Sequence, residues 1–321
     1  MDIHDIDKIT FGILSATNIR KFAVCKIDST KLMGPGSVYD EKMGCSIDSN
    51  DKCVTCGMKK ECPGHFGYLE LNEPVLHPLF YKQITNFLKC FCKNCHRLVL
   101  SKEQLSLDNL DKIKGERRFV KILEKLKKND VCSNCESPQP KIVFKPKDMT
   151  IGMEHKQKGT KNKVATKIDI ILTVEEIKKI FDDVSNEDIR SLGFHPDRIH
   201  PKDLIITVLP VIPPCSRPYV IADGNMCDDD ITYQLIEIIK INNQLGTIEN
   251  TDEKKKQKLI QALKFRLLTL YNNSKGTAKH PTDSRPLKGF KERLSGKEGR
   301  LRSNLMGDKN EQIPAEICMK L

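Results

Sequence analysis

The sequence predicts an α+β chain built of several small parts, and three observations predict it. Cysteine and histidine recur in closely spaced pairs, short β-branched and aromatic runs alternate with turn residues, and two amphipathic stretches of helical period follow one another between residues 228 and 272. The pairs are Cys53-x-x-Cys56 with Cys62-x-x-His65, and Cys92-x-x-Cys95 with Cys132-x-x-Cys135. Thiolate and imidazole are the ligands zinc prefers, and four of them close a tetrahedron with no open position. The sequence therefore predicts two structural Zn2+ sites and no catalytic metal among these ligands. Gly57 and Gly64 suit the tight turns between ligands, and Pro63 restricts the second knuckle. Cys90 lies two residues before Cys92 and is an alternative to it as a ligand.

Composition narrows the class. The chain has 321 residues, 54 Lys+Arg against 43 Asp+Glu, and a net charge of +11, which favours a polyanionic partner. Met1-Asp2-Ile3-His4-Asp5 shows no secretory pattern, and no apolar run is long enough to cross a bilayer. Thirteen Cys in such a chain read as metal ligands in a reducing compartment, not as a disulfide framework. With no Trp and 6% aromatic residues, small zinc modules support parts whose apolar core is thin.

In chain order, Ile9, Phe11, Ile13 and Leu14 start a strand or pack on one, and Phe22–Ile27 reads as a strand ahead of a turn at Gly34-Pro35-Gly36. Cys25 and Cys45 read as ordinary small residues. A polar loop from Asp40 to Asn50 feeds the first knuckle, and Tyr68–Leu71 is a short strand. Phe80, Ile84, Phe87 and Leu88 mark a helix within 74–89, and Phe119, Ile122, Leu123 and Leu126 mark another between the two pairs of the second ligand set. Ile142–Lys145 and Lys167–Ile171 read as strands flanking a basic, solvated loop at Lys156–Lys163. Thr173-x-x-Glu176 is a capping box that opens a helix through Phe181, and Ser185 caps another that Gly193 ends. Leu204–Leu209 reads as a buried strand, followed by a loop stiffened by Pro210, Pro213, Pro214 and Pro218.

Asp228-Asp229-Asp230 then opens a helix whose apolar face is Ile231, Leu235, Ile238 and Ile239; capping accounts for the acidic run, with a metal triad as the alternative. A polar linker at Gly246–Asp252 precedes a second helix marked by Leu259, Leu263, Leu267 and Leu270. The two faces predict an antiparallel helical hairpin, either a plain packing unit or a docking arm. From Lys275 to Arg302 nine cations face three carboxylates, and Phe290 is the lone aromatic. Phosphate neutralisation fits that pattern better than base stacking, with a solvated linker as the alternative.

Taken together and in this order, these landmarks resemble the N-terminal part of the largest subunit of multisubunit DNA-directed RNA polymerases, in the eukaryotic, archaeal and large-DNA-virus branch. Cys53…Cys62-Pro-Gly-His65-Phe-Gly resembles that family's first clamp zinc motif, and the Cys92/Cys95 and Cys132/Cys135 pairs resemble its second. His200-Pro201 through Pro214 and Arg217-Pro218 resemble the lead into the lid loop, and Asp229-Asp230-Ile231-Thr232 the start of the clamp helices. Arg285-Pro286-Leu-Lys288 follows a rudder-like loop, and Arg293 to Gly307 resembles the DNA-contacting switch segment. There are departures: one residue fewer between Cys56 and Cys62, Tyr68 where a His is frequent, and a break in the pattern after Gly307.

The resemblance implies a multi-part polymerase clamp. Its divisions are a clamp core start with the first zinc knuckle (1–90), a second zinc module and basic loop (91–165), clamp core with lid-like loop (166–227), helical hairpin (228–272), rudder-like and switch-like segments (273–307) and an atypical tail (308–321). It implies template DNA and the RNA–DNA hybrid as ligands, with Lys288, Arg293, Lys297, Arg300 and Arg302 as phosphate contacts. It also implies the second-largest and other polymerase subunits as partners, initiation or elongation factors on the hairpin, and no membrane. No catalytic residue is expected: the family's Mg2+-binding loop is missing from the sequence, so Mg2+ belongs to the complete polymerase and the fragment alone is expected to be inactive. The tail reads as the product of a split gene, an intron or a frame change. The location implied is the nucleus, or host cytoplasm and virion for a viral source. The rival readings are a stand-alone zinc protein that binds nucleic acid or docks partners, and, more remotely, a zinc hydrolase.

Overall fold

The structure, a computed structural model, describes residues 12–45, 52–127, 129, 131–146, 148–156, 167–222, 224–248 and 252–305. Ile9 and Phe11, the end of the Asp40–Asn50 loop, the basic loop beyond Lys156, part of the Gly246–Asp252 linker and the 308–321 tail lie outside the described residues. The helices are α1 (Ala16–Phe22), α2 (Tyr81–Cys90), α3 (Lys102–Leu107), α4 (Glu116–Leu126), α5 (Val174–Asp182), α6 (Asn186–Ser191), α7 (Asp230–Thr247), α8 (Glu253–Tyr271) and α9 (Phe290–Leu294). The strands are β1 (Cys25–Lys26), β2 (Gly67–Leu76), β3 (Lys141–Lys145), β4 (Thr150–Lys156), β5 (Lys167–Leu172), β6 (Ile205–Val211), β7 (Val220–Ala222) and β8 (Asn225–Cys227). They form two compact units: the chain leaves the first after Glu73, within β2, and returns to it at Thr207, within β6.

In the first unit the strand expected over Phe22–Ile27 shrinks to two residues, because Phe22 ends a helix. Ser15 accepts from the Asn18 amide at 3.1 Å and so starts α1 upstream, and the helix runs through Phe22. Cys25 and Lys26 form the strand that is left, pairing in parallel with Gly67 and Tyr68. The sheet order is β1-β2-β6. β2 runs past the expected Leu71 and through Pro74, beyond its pairing with β1, which stops at Tyr68. Pro210 continues β6 instead of opening the loop, as an edge strand tolerates.

The expected apolar faces of α7 and α8 are buried at Ile231, Leu235, Ile238 and Ile239 and at Leu263, Leu267 and Leu270, and the two consecutive helices pack on each other. Arg266 of α8 reaches Glu237 of α7 at 3.4 Å. The buried Asn242 of α7 acts on β2 as a neighbouring strand would. Its Oδ1 accepts from the Asn72 amide at 2.8 Å, and its Nδ2 donates to the Glu70 carbonyl at 2.9 Å.

The second unit packs α2, α4, α5 and α6 with an antiparallel sheet in the order β3-β4-β5. β4 carries no clear strand signal, because Gly152, Glu154 and His155 interrupt its apolar pattern. It is the central strand, and Ile151 and Met153 are each 1% exposed. Of the basic loop expected at Lys156–Lys163, Lys156 ends β4 and the rest lies outside the described residues. Phe87, Phe119 and Phe194 meet with ring centroids 5.1 to 5.7 Å apart, joining α2 and α4 to the chain just past α6. The Thr173/Glu176 capping box and the Ser185 cap are formed as expected. A further box, Ser101 with Gln104, opens α3, which periodicity did not reveal.

Two expectations follow. Replacing Asn242 by Leu should cost about 1 to 3 kcal/mol in denaturant unfolding, since two backbone groups of β2 lose their partners. Burial holds His77 neutral, down to about 4 from 6.5. The unfolded chain binds that proton and the folded chain does not, so stability falls as pH drops from about 6.5 towards 4. His77→Gln should flatten this slope, by at most about 3 kcal/mol over the window, in unfolding measured at each pH.

Candidate metal centres and the basic segment

Three of the four knuckles share one turn. In Cys53-x-x-Cys56-Gly57, Cys92-x-x-Cys95-His96 and Cys132-x-x-Cys135-Glu136, the residue after the second Cys is left-handed, at φ 71, 57 and 55°. Its amide donates to the first Cys carbonyl, at 2.8, 2.9 and 3.0 Å. Glycine takes this conformation freely in the first turn; His96 and Glu136 hold it against their side chains' preference. Amides also point at sulfur, from Asn94 to Cys92, from Asn134 to Cys132 and from Gly64 to Cys62, at 3.3 to 3.4 Å. Gly64 has φ 79°, and a Cβ there would lie 2.5 Å from the Cys215 sulfur and 2.7 Å from Pro213. Conformation and space both demand glycine.

Each predicted set converges. Cys53, Cys56, Cys62 and His65 have all ligand atoms within 4.8 Å of one another, and so do Cys92, Cys95, Cys132 and Cys135. The sulfurs of Cys56 and Cys62 are 3.5 Å apart, and His65 offers Nε2 at 3.6 Å from Cys62. In the second set Cys92–Cys135 is 3.6 Å and Cys95–Cys132 is 3.8 Å. Zinc–sulfur bonds of about 2.3 Å and a zinc–nitrogen bond of about 2.0 Å set tetrahedral edges of about 3.8 Å (S···S) and about 3.5 Å (S···N). The donor sets therefore fit a tetrahedral ion of zinc's size. Burial pushes the Cys62 and Cys95 thiols up to about 12, while hydrogen bonds from Ser137 draw Cys135 down to about 6. Ser137 and Gln139 also reach the Cys92 sulfur, at 3.3 and 3.2 Å, a supporting layer that sequence spacing did not reveal. Cys90 is not in the set. It is fully buried, its thiol donates to the Asn86 carbonyl, and burial raises it well above the ordinary thiol range. Cys25 and Cys45 lie in neither set.

The basic segment is tied down at named points. Asn273 is buried and donates to the carbonyls of Ala278 and Leu287, at 2.8 and 2.7 Å, closing the loop between them. Glu292 accepts from the amides of Asn273 and Gly289 and from the Ser274 hydroxyl. A Cβ on Gly289 would lie 2.6 Å from the Thr269 carbonyl, so glycine lets α9 start against the end of α8. Lys288, Lys297 and Arg302 are exposed and Arg300 is half-buried. Arg293 is engaged inside the fold: it pairs with Asp229 and donates to the Ser216 carbonyl at 2.9 Å.

Capping accounts for less of the Asp228–Asp230 run than the sequence implied. Only Asp229 caps, accepting from Ile231 at 2.8 Å. Asp228 accepts from the Tyr39 hydroxyl at 3.1 Å, and Asp230 binds the Arg285 guanidinium and the Lys288 amide. Among the described residues the metal-capable groups are the two Cys-containing sets, not this triad.

Residues 3–305 match the family described as RNA polymerase Rpb1, domain 1. The chain belongs to that family. It corresponds to the N-terminal region of the largest subunit of DNA-directed RNA polymerase. It is 34% identical to a probable DNA-directed RNA polymerase II subunit RPB1 homolog of Invertebrate iridescent virus 6, over 97% of this chain and 37% of the viral protein. Identity is 33% to the RPB1 subunit of Euplotoides octocarinatus, over 96% of this chain and 68% of that protein. It is also 33% to Rpo1N of Thermococcus celer, over 94% and 35%. The chain thus spans little more than a third of the viral and archaeal relatives. An Rpb1-family match through both cysteine sets and the basic segment disfavours the stand-alone zinc protein.

The chain purified with its metal should carry two Zn2+ by elemental analysis. Cys132→Ser should reduce the content to one, because the two sets draw on different parts of the chain and share no ligand. Loss of both ions would show that the sets are not independent.

Proposed function

We propose that this chain is the clamp portion of a DNA-directed RNA polymerase and takes part in DNA-templated transcription by holding template DNA and the RNA–DNA hybrid. The observation that carries the reading is the family match running through the basic segment to residue 305. Exposed Lys288, Lys297 and Arg302 support it, as cations open to a phosphate backbone.

In this reading the two cysteine sets hold structural Zn2+, functional parts meet at about 90, 165, 227, 272 and 307, and α7 and α8 form the antiparallel hairpin on which transcription factors dock. The β7–β8 hairpin, with Val220 and Ile221 more than 60% exposed, is the lid-like element that helps part RNA from template. The loop from Asn273 to Leu287 is the rudder-like one. Lys288, Lys297, Arg300 and Arg302 neutralise phosphates, and Arg293 acts from beneath them through Asp229. Nucleotidyl transfer with Mg2+ belongs to the assembled polymerase, whose second-largest and other subunits are the partners.

DNA affinity should fall steeply with salt. Replacing Lys297, Arg300 and Arg302 together by Ala should reduce the slope of log K against log salt by about 2 to 3, at roughly 0.9 per lost phosphate contact. An unchanged slope would count against these contacts, and failure to co-purify with a second large polymerase subunit would count against the assembly.

A further inference from the structure

The acidic head of α7 is the strongest structural feature that the proposed function leaves without a role. Its carboxylates sit beside a segment that must attract polyanions, where negative charge ought to weaken binding. Two of them are nevertheless well withdrawn from solvent and fully engaged. Asp230, 8% exposed at its side chain, takes the Arg285 guanidinium in a two-pronged contact: Nη2 donates to Oδ1 at 2.9 Å and Nη1 to Oδ2 at 3.1 Å. It also accepts from the Lys288 amide at 2.8 Å. Asp229 pairs with Arg293 of α9, and the same arginine donates to the Ser216 carbonyl on the approach to β7. The basic segment is thereby pinned on both sides of Gly289, while Glu292 holds the turn between from the α8 side.

We propose that Asp229 and Asp230 are positioning residues for nucleic-acid binding: they bind Arg285, Arg293 and the Lys288 backbone, and so fix the exposed Lys288, Lys297 and Arg302 in one arrangement towards a phosphate backbone. The inference rests on the phosphate-binding reading above. It separates the cations of this segment into two kinds. Arg285 and Arg293 are neutralised within the fold and hold the segment in place; the others carry the charge that meets the ligand. A flexible strip of the same charge would lose more conformational freedom on binding, so removing an anchor should weaken binding even when the anchor is an anion.

The test is a double-mutant cycle in the full zinc-loaded chain, read by fluorescence anisotropy with a labelled 20-base-pair duplex DNA. Asp230→Asn keeps the shape but loses the charge that holds Arg285 and that strengthens the bond from the Lys288 amide. It should bind DNA about 3- to 10-fold more weakly, although the protein has become more positive. Arg285→Gln, at a half-exposed side chain whose loss should not unfold the protein, should weaken binding similarly, and the double variant should be no weaker than the weaker-binding single. Tighter binding by Asp230→Asn, or effects of opposite sign that simply add, would overturn the proposal, because the carboxylate would then only repel DNA. Hydrogen exchange reads the same contact without DNA: the Lys288 amide and α9 should lose protection in Asp230→Asn, and unchanged protection would also overturn it. An unchanged salt slope in the Lys297, Arg300 and Arg302 variant would instead remove the phosphate-binding reading itself.

Discussion

Arg217 is completely buried, and a guanidinium in that position needs an acceptor for its donors. It finds them in three places: the Ile212 carbonyl at 3.0 Å, the Thr232 hydroxyl at 2.9 Å and the Val38 carbonyl. Its face lies over the Tyr39 ring, 5.1 Å from the centroid. Burial draws it down to about 10, so it remains charged near neutrality. One side chain thereby ties the residue 38–39 turn, the end of β6 and the first turn of α7 together. Asp228, Asp229 and Asp230 extend the same network to Tyr39, Arg293 and Arg285. In a chain without Trp and poor in aromatics, charged groups with well-shaped partners hold together segments that apolar burial alone would leave loose.

The knuckles solve a related problem by other means. Their backbone amides point at sulfur and at the first cysteine's carbonyl, so each turn is shaped before any ligand is considered. What remains for a metal is to join two preshaped pairs. Cys92, Val99 and Cys132 form a small buried cluster of their own, too small to be stable by apolar contact. The two sets are built from local turns, which explains why both were legible from spacing alone.

Legibility failed where a residue's role depended on what lay far away in the chain. The capping boxes at Thr173 and the apolar faces of α7 and α8 are local, and they appear as read. β4 was hidden because a central strand needs partners on both sides more than it needs a regular pattern of its own. Alternation predicts a strand at Phe22, but the Ser15 cap seven residues earlier commits it to a helix. Arg293 was counted among phosphate contacts because sequence records charge and not partners; Asp229, 64 residues away, claims it. For the same reason the three consecutive aspartates looked alike, and only one of them is a cap.

By itself the sequence determined the two ligand sets up to the choice between Cys90 and Cys92, the helices with clear period or caps, the basic character of the last segment and the family, since each rests on residue type and spacing within a short window. Tertiary structure alone decided that Cys92 and not Cys90 joins its set, that Asn242 completes the edge of β2, and which cations of the basic segment face inward. Those outcomes depend on which polar groups are buried together, and burial is a property of the packed chain rather than of any stretch of it.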